Sequence, residues 1–261
     1  MQLFKDGPVL IGMVHLLPLP GTARYAGSLD RVAETALADA AALKAAGFDA
    51  VMVENFGDAP FRKNRVEPHT IAAMTRIASL VRQETGLPLG INVLRNDGLA
   101  ALGIAGAVGA ACIRVNILAG AMVTDQGIIE GEAPAISEYR QKVAPHVAVL
   151  ADVHVKHARP LVDRPVEEVA VETVERAGAD GLIVTGTRTG GAIDLHELQQ
   201  VRSAVTAPII AGSGVSAGNI SQVLAHCNGA IIGSSVKVAG IATNPVDPER
   251  ALRLVATARK G

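Results

Sequence analysis

Eight short apolar runs in this chain end on residues able to do chemistry. Six of them lead into His15, Glu54, Asn92, Arg114 with Asn116, Asp152 with His154 and Lys156, and Thr185. Glu54, Asp152 or His154 could abstract a proton beside a carbonyl, with Lys156 or Arg114 stabilising the oxyanion that forms. His15, Asn92, Asn116 and Thr185 would then orient the ligand. A divalent metal held by His15, Glu54, Asp152 and His154 is the less favoured chemistry, because Asp-x-His spacing alone is a weak ligand signal. No residue is assigned as a metal ligand, and the cofactor stays unassigned. Lys156 could also form a Schiff base, although a lysine past a strand end is more often an anion contact. The plain structural alternative is a satisfied polar layer. Charge inside apolar strands is costly unless paired, and so many such residues at one end favour a site.

The other two runs break into Gly212-Ser-Gly-Val215 and Gly233-Ser-Ser235. Glycines after a strand leave backbone N–H groups bare, and a helix expected from Ser216 to Ala225 would start beside them. Gly212, Ser213, Gly214, Val215, Gly233, Ser234 and Ser235 are therefore the candidate phosphate site. In a (β/α)₈ barrel the loops after strands seven and eight commonly hold phosphate. No Gly-x-x-x-x-Gly-Lys-[Ser/Thr] occurs, so this is not a P-loop.

The strands that must position these groups are Val9–Val14, Ala50–Val53, Leu89–Val93, Cys112–Val115, Val147–Val153, Leu182–Val184, Ile209–Ala211 and Ala230–Ile232. Helical periodicity fills the intervals at Ser28–Ala46, Pro68–Glu84, Asp97–Ala107, Pro134–Lys142, Pro165–Ala177, Asp194–Ala204, Ser216–Ala225 and Pro248–Arg259. Alternate strands are preceded by glycine (Gly47, Gly109, Gly178, Gly229) and the others by proline (Pro8, Pro88, Pro145, Pro208). Glycine past a helix end is the left-handed cap, and proline stops a helix before a strand. Four such double units predict an α/β protein with a single (β/α)₈ TIM barrel over residues 1–261. A doubly wound sheet would want Gly-x-Gly-x-x-Gly after the first strand, and none is present. Period-two alternation puts Asp152, His154 and Lys156 on one side of their strand, and Arg114 and Asn116 on one side of theirs.

Three connections lie at the same end, the loop 55–61 over the mouth and two long ones, 16–27 and 117–133. The third carries Ile128 and Ile129 between glycines, which predicts a closing flap. A length of 261 residues suits one barrel. The net charge of −1 gives no electrostatic reason to expect nucleic acid or an anionic membrane. No run is long and apolar enough for a membrane anchor, no leader precedes the first strand, and Cys112 and Cys227 read as reduced thiols, so the expected setting is cytoplasmic. A homo-oligomer is the prior for barrels of this size.

Several stretches resemble one family. Gly12-Met-Val-His-Leu-Leu-Pro-Leu-Pro-Gly21, Glu54-Asn-Phe-Gly-Asp-Ala-Pro-Phe61, Asn92-Val-Leu-Arg-Asn-Asp97 and Thr124-Asp-Gln-Gly-Ile-Ile-Glu-Gly131 are similar to the BtpA family. So are Asp152-Val-His-Val-Lys156, Val184-Thr-Gly-Thr-Arg-Thr-Gly190 and Gly212-Ser-Gly-Val215. The resemblance implies a barrel of the ribulose-phosphate-binding type. It also implies relatives named for photosystem I biogenesis and others that accompany carbohydrate metabolism. The expected function is an enzyme acting on a small phosphorylated metabolite by isomerisation, epimerisation or aldol-type cleavage. The alternatives are a non-catalytic assembly factor for photosystem I or another membrane complex, and a metal-dependent hydrolase.

Overall fold

The computed structural model describes residues 7–155, 158–186 and 193–260. Its strands are β1 (Val9–His15), β2 (Ala50–Glu54), β3 (Leu89–Asn92), β4 (Cys112–Val115), β5 (Ala121–Thr124), β6 (Gly127–Glu130), β7 (Ala148–Asp152), β8 (Ala158–Pro160), β9 (Gly181–Val184), β10 (Ile209–Ala211) and β11 (Gly229–Ile232). The helices are α1 (Leu29–Ala46), α2 (Pro68–Thr85), α3 (Gly98–Val108), α4 (Ala133–Val143), α5 (Val166–Glu175), α6 (Leu195–Ala204), α7 (Ile220–Leu224) and α8 (Pro248–Ala258). Eight strands close a parallel barrel in the order β1-β2-β3-β4-β7-β9-β10-β11, with β11 returning to β1. These are the eight apolar runs of the sequence, so the (β/α)₈ expectation holds.

The connectors behave as their residue types require. Gly47, Gly109 and Gly178 all have positive φ, of 90°, 64° and 75°, where a side chain would be strained. The strict glycine–proline alternation loosens twice: α2 also ends on a left-handed glycine, Gly86, just ahead of Pro88, and Gly229 is the first residue of β11 and not a left-handed cap. The helix expected over Ser216–Ala225 shrinks to α7. Asn219 accepts the Ser216 N–H at 2.8 Å and donates to the Gly214 carbonyl at 2.8 Å, which holds this stretch as a turn.

Side-chain alternation sorts each barrel strand. Ile11, Met13, Met52, Cys112, Leu150, Ile183, Ile210 and Ile231 pack together inside the barrel. Their neighbours Leu10, Val51, Ile113, Val149 and Leu182 pack outward beneath the helices. Continuing the inward series by one step reaches His15, Glu54, Arg114, Asp152, Thr185, Gly212 and Gly233. On β3 the same series runs from Gly90 to Asn92. The polar layer is thus the inward face of the barrel at the C-terminal ends of its strands.

Two expectations are corrected. Residues 117–133 do not form a loose flap: β5 and β6 make an antiparallel hairpin, and β5 also pairs with β8 to give a three-stranded sheet. Ile129 is buried with Ile117, Met122 and Val155, while Ile128 stays exposed. The fifth barrel strand stops at Asp152 instead of running to Val153, so alternation carries no information about His154. No helix among the described residues is long and apolar enough to cross a membrane.

Both cysteines are free and buried. Burial pushes the Cys112 thiol up to about 12. Burial also raises Cys227, against hydrogen bonds to backbone carbonyls that hold its thiol in place. The reactive species is the thiolate. The native protein at pH 8 is therefore expected to show no fast-reacting thiol toward a disulfide reagent, and two after unfolding. One rapid equivalent in the native state would contradict this placement.

Candidate functional site

His15 ends β1 and is held by contacts on several sides. Its Nδ1 lies 2.9 Å from the Ala242 carbonyl, which can only accept, so Nδ1 carries the proton. Its ring stacks on Phe56, with centroids 4.4 Å apart and 20° between planes. Its Nε2 is 3.8 Å from Glu54 Oε1. A neutral imidazole in this tautomer presents Nε2 as the basic atom beside a carboxyl group, which is a sound arrangement for moving a proton.

Arg114 and Asp152 end the neighbouring strands β4 and β7 and point into the barrel together. Arg114 Nε and Nη2 donate to the two Asp152 oxygens at 2.9 Å each, a bidentate pair buried on both sides. Burial pulls the Arg114 guanidinium down, but Asp152 and Glu54 outweigh it and the net shift is upward. Asn116 adds a third donor to Asp152 at 2.9 Å. Asp152 therefore has both oxygens engaged and serves to hold Arg114. Asn92 donates to the Arg114 carbonyl at 3.2 Å. The Oδ1 atoms of Asn92 and Asn116 are buried and, among the described residues, have no donor.

The glycine–serine loops after β10 and β11 line a narrow chamber with Met13, His15, Glu54 and Arg114. Of the expected anion contacts, Gly212 is withdrawn as an amide donor: its N–H continues the ladder to the Val184 carbonyl at 2.7 Å. Its lack of a side chain still matters, since a Cβ there would lie 2.3 Å from Ile183 Cγ2. Among the described residues no acceptor takes the N–H groups of Ser213, Gly214, Val215 or Gly233. The amides of Ser234 and Ser235 open a 3₁₀ turn, where the first donors have no partner within the helix. Ser213 Oγ is occupied by the Gly186 N–H at 2.9 Å.

A larger cavity of ≈ 440 Å³ opens from this chamber, sharing His15, Glu54, Phe56 and Arg114 with it. Asn116 and Arg95 line it as well. Arg95 was missed by the pattern of strand ends because it lies three residues past β3, although it sits inside the Asn92–Asp97 motif. Burial lowers the Arg95 guanidinium, opposed by Asp152, Asp125 and Glu54. Side-chain bonds fix this rim. Asp58 accepts the Leu19 N–H at 2.8 Å, Asn55 clasps both backbone groups of Leu94, and Asn96 does the same to Ile117. The loops after β1, β2, β3 and β4 are thereby linked in series.

The remaining expected residues fall elsewhere. His154 lies beyond the end of β7, with its Nδ1 2.9 Å from Glu197 Oε1 on α6, and lines a separate cavity with Thr185. Thr185 Oγ1 donates to the His154 carbonyl at 2.8 Å, so the hydroxyl is already used. The cause is the early end of β7 at Asp152, beyond which the alternation of the strand no longer applies. Lys156 and the Thr187–Gly190 part of its motif lie outside the described residues. The set His15, Glu54, Asp152 and His154 is not assembled. Among the described residues no three His, Cys, Asp or Glu side chains are grouped to hold a metal ion.

Lys237, a few residues past β11, is fully buried at 0% exposure and pairs with Asp39 of α1. Asp39 also accepts the Val246 N–H at 2.7 Å. Burial lowers the lysine ammonium, and Asp39 opposes that shift. The pair fastens the end of the Ser234–Val236 turn to the first helix.

Comparison with known proteins follows the same outline. The BtpA family profile matches residues 6–260. A protein of Methanocaldococcus jannaschii is 45% identical over 260 residues, covering 100% of this chain and 98% of its own. The Photosystem I biogenesis protein BtpA of Synechocystis sp. is 45% identical over 261 residues, covering 100% of this chain and 91% of its own. Among solved structures, N-(5'-phosphoribosyl)anthranilate isomerase from Pyrococcus furiosus aligns with a TM-score of 0.60 at 15% identity, over 97% of this chain and 100% of that one. That likeness is one of fold. Profile and relatives agree along nearly the full length, and the chain belongs to the BtpA family.

Proposed function

We propose that this protein is an enzyme acting on a small phosphorylated metabolite by acid–base chemistry. The observation that carries the reading is the set of unpartnered amides at Ser213, Gly214, Val215 and Gly233, lining the same chamber as His15 and Glu54. N–H groups that converge on a chamber without an acceptor from the described residues suit an anion, and a phosphate would satisfy several at once. Glu54 and His15 are placed to take and return a proton. Arg114, held by Asp152, supplies fixed positive charge beside them for a developing oxyanion. Isomerisation, epimerisation and aldol-type cleavage all need that combination. The name of the structural neighbour from Pyrococcus furiosus, which specifies a phosphoribosyl substrate, is consistent with the same use of the fold.

Binding of inorganic phosphate or glycerol phosphate tests the reading. At about 100 times its Kd such a ligand is expected to stabilise the protein by about 2.7 kcal/mol in thermal unfolding. Gly233→Val should abolish the shift, because a Cβ there already comes within 3.2 Å of His15 Cε1. No shift with either ligand in the native protein would sink the proposal. The name of the Synechocystis relative favours a second reading, an assembly factor. On that reading Gly233→Val would lose phosphate binding and still support assembly of the membrane complex.

A further inference from the structure

Only four phenylalanines and no tryptophan occur in the chain. Two of the four, Phe56 and Phe61, line the ≈ 440 Å³ cavity, with Leu16, Leu17, Pro18 and Leu94 completing an apolar wall. His15 stacks on Phe56 at its inner end. A pocket of this size holds more than a triose or pentose chain, and sugar hydroxyls set against the apolar wall would find no partner there. Glu54 and three arginines, Arg24, Arg95 and Arg114, also line it, and Asn116 Oδ1, on a residue only 2% exposed, has no donor among the described residues. The asparagine is fixed in place, because its Nδ2 is bound to Asp152 at 2.9 Å.

From this arrangement, and resting on the phosphate reading above, we infer that the cavity takes a flat, largely apolar ring carried by the phosphorylated ligand. The substrate class is a ring-bearing phosphate ester, of aryl or nucleobase type, with a hydroxyl or N–H donor directed at Asn116. The phosphate lies in the chamber below the loops after β10 and β11. The ring lies over the loops after β1, β2 and β3. The bonds between them pass His15, Glu54 and Arg114, which line both spaces. Ring binding between phenylalanine faces and a proline is offset stacking and edge contact, and requires the apolar lining observed.

The test is a calorimetric series on the full chain with inorganic phosphate, ribose 5-phosphate, phenyl phosphate and adenosine and uridine monophosphates. At least one ring-bearing phosphate is expected to bind about tenfold or more tightly than ribose 5-phosphate, a clear separation on the affinity scale. Phe61→Ala should remove most of that preference while leaving inorganic phosphate binding unchanged. Phe61→Leu, which keeps apolar bulk in the same loop, should remove part of it and guards against misfolding. If ribose 5-phosphate binds as tightly as every ring-bearing compound, the ring inference falls and the phosphate reading stands. If none of the phosphates binds, the phosphate reading fails and takes this inference with it.

Discussion

Asp152→Ala is expected to cost about 3–5 kcal/mol of folding stability, among the largest effects of any single substitution in this chain. The loss comes from what is left behind. Arg114 would keep a full charge inside the barrel with its Nε and Nη2 donors emptied, and Asn116 Nδ2 would lose its acceptor as well. Glu54 provides some compensating charge, since it already favours the charged guanidinium. It does not replace the bidentate geometry. The double variant Arg114→Met with Asp152→Leu separates structure from function. Exchanging a whole buried ion pair for apolar side chains is often neutral or stabilising, so the double variant should recover most of the loss in urea unfolding. It should still lose ligand binding, because Arg114 lines both the chamber and the larger cavity. A double variant as unstable as Asp152→Ala would mean that the pair is not the source of the cost.

The second large effect is at Lys237. Lys237→Met leaves the Asp39 carboxylate buried with only the Val246 N–H for company, and an expected loss of about 3–5 kcal/mol follows. The reverse change, Asp39→Asn, behaves differently because a lysine can shed its proton. Burial already lowers the ammonium below its ordinary value of 10.5, and Asp39 is what holds it up. Without Asp39 the folded-state value falls further, while the unfolded value is unchanged. Between those two values the unfolded chain binds more protons, so the stability of the variant rises with pH across that window. The deficit of Asp39→Asn relative to the native protein is therefore expected to be larger at pH 7 than at pH 10. Urea midpoints at the two values measure it, and a deficit independent of pH would contradict the buried pairing.

Much of the barrel was legible from the residues themselves. Apolar runs three to seven long, each closed by a polar residue or glycine, mark strands buried on both faces, and the same alternation that fills the interior delivers His15, Glu54, Asn92, Arg114 and Asp152 to one rim. Pairings across the chain were not legible. Arg114 with Asp152, Asn55 with Leu94, and Asp39 with Lys237 join positions 38, 39 and 198 residues apart. No local pattern encodes them. His154 was grouped with Asp152 by a period of two that ends with β7, and the hairpin of β5 and β6 was read as a flap because its register with β8 depends on a distant segment. Arg95 escaped because it belongs to a loop, where alternation does not operate.

The tie between Lys237 and Asp39 also orders events in time. The first helix exists early in synthesis, but its buried carboxylate waits 198 residues for a partner. Contacts of such long separation form late, after the closure entropy of the intervening chain has been met. The Ser234–Val236 turn is therefore set only when the last barrel strand has docked. A chain that has not reached its last residues lacks both the Lys237 tie and the Ala242 carbonyl that fixes His15 Nδ1, so closing the ring of strands also completes the aim of His15.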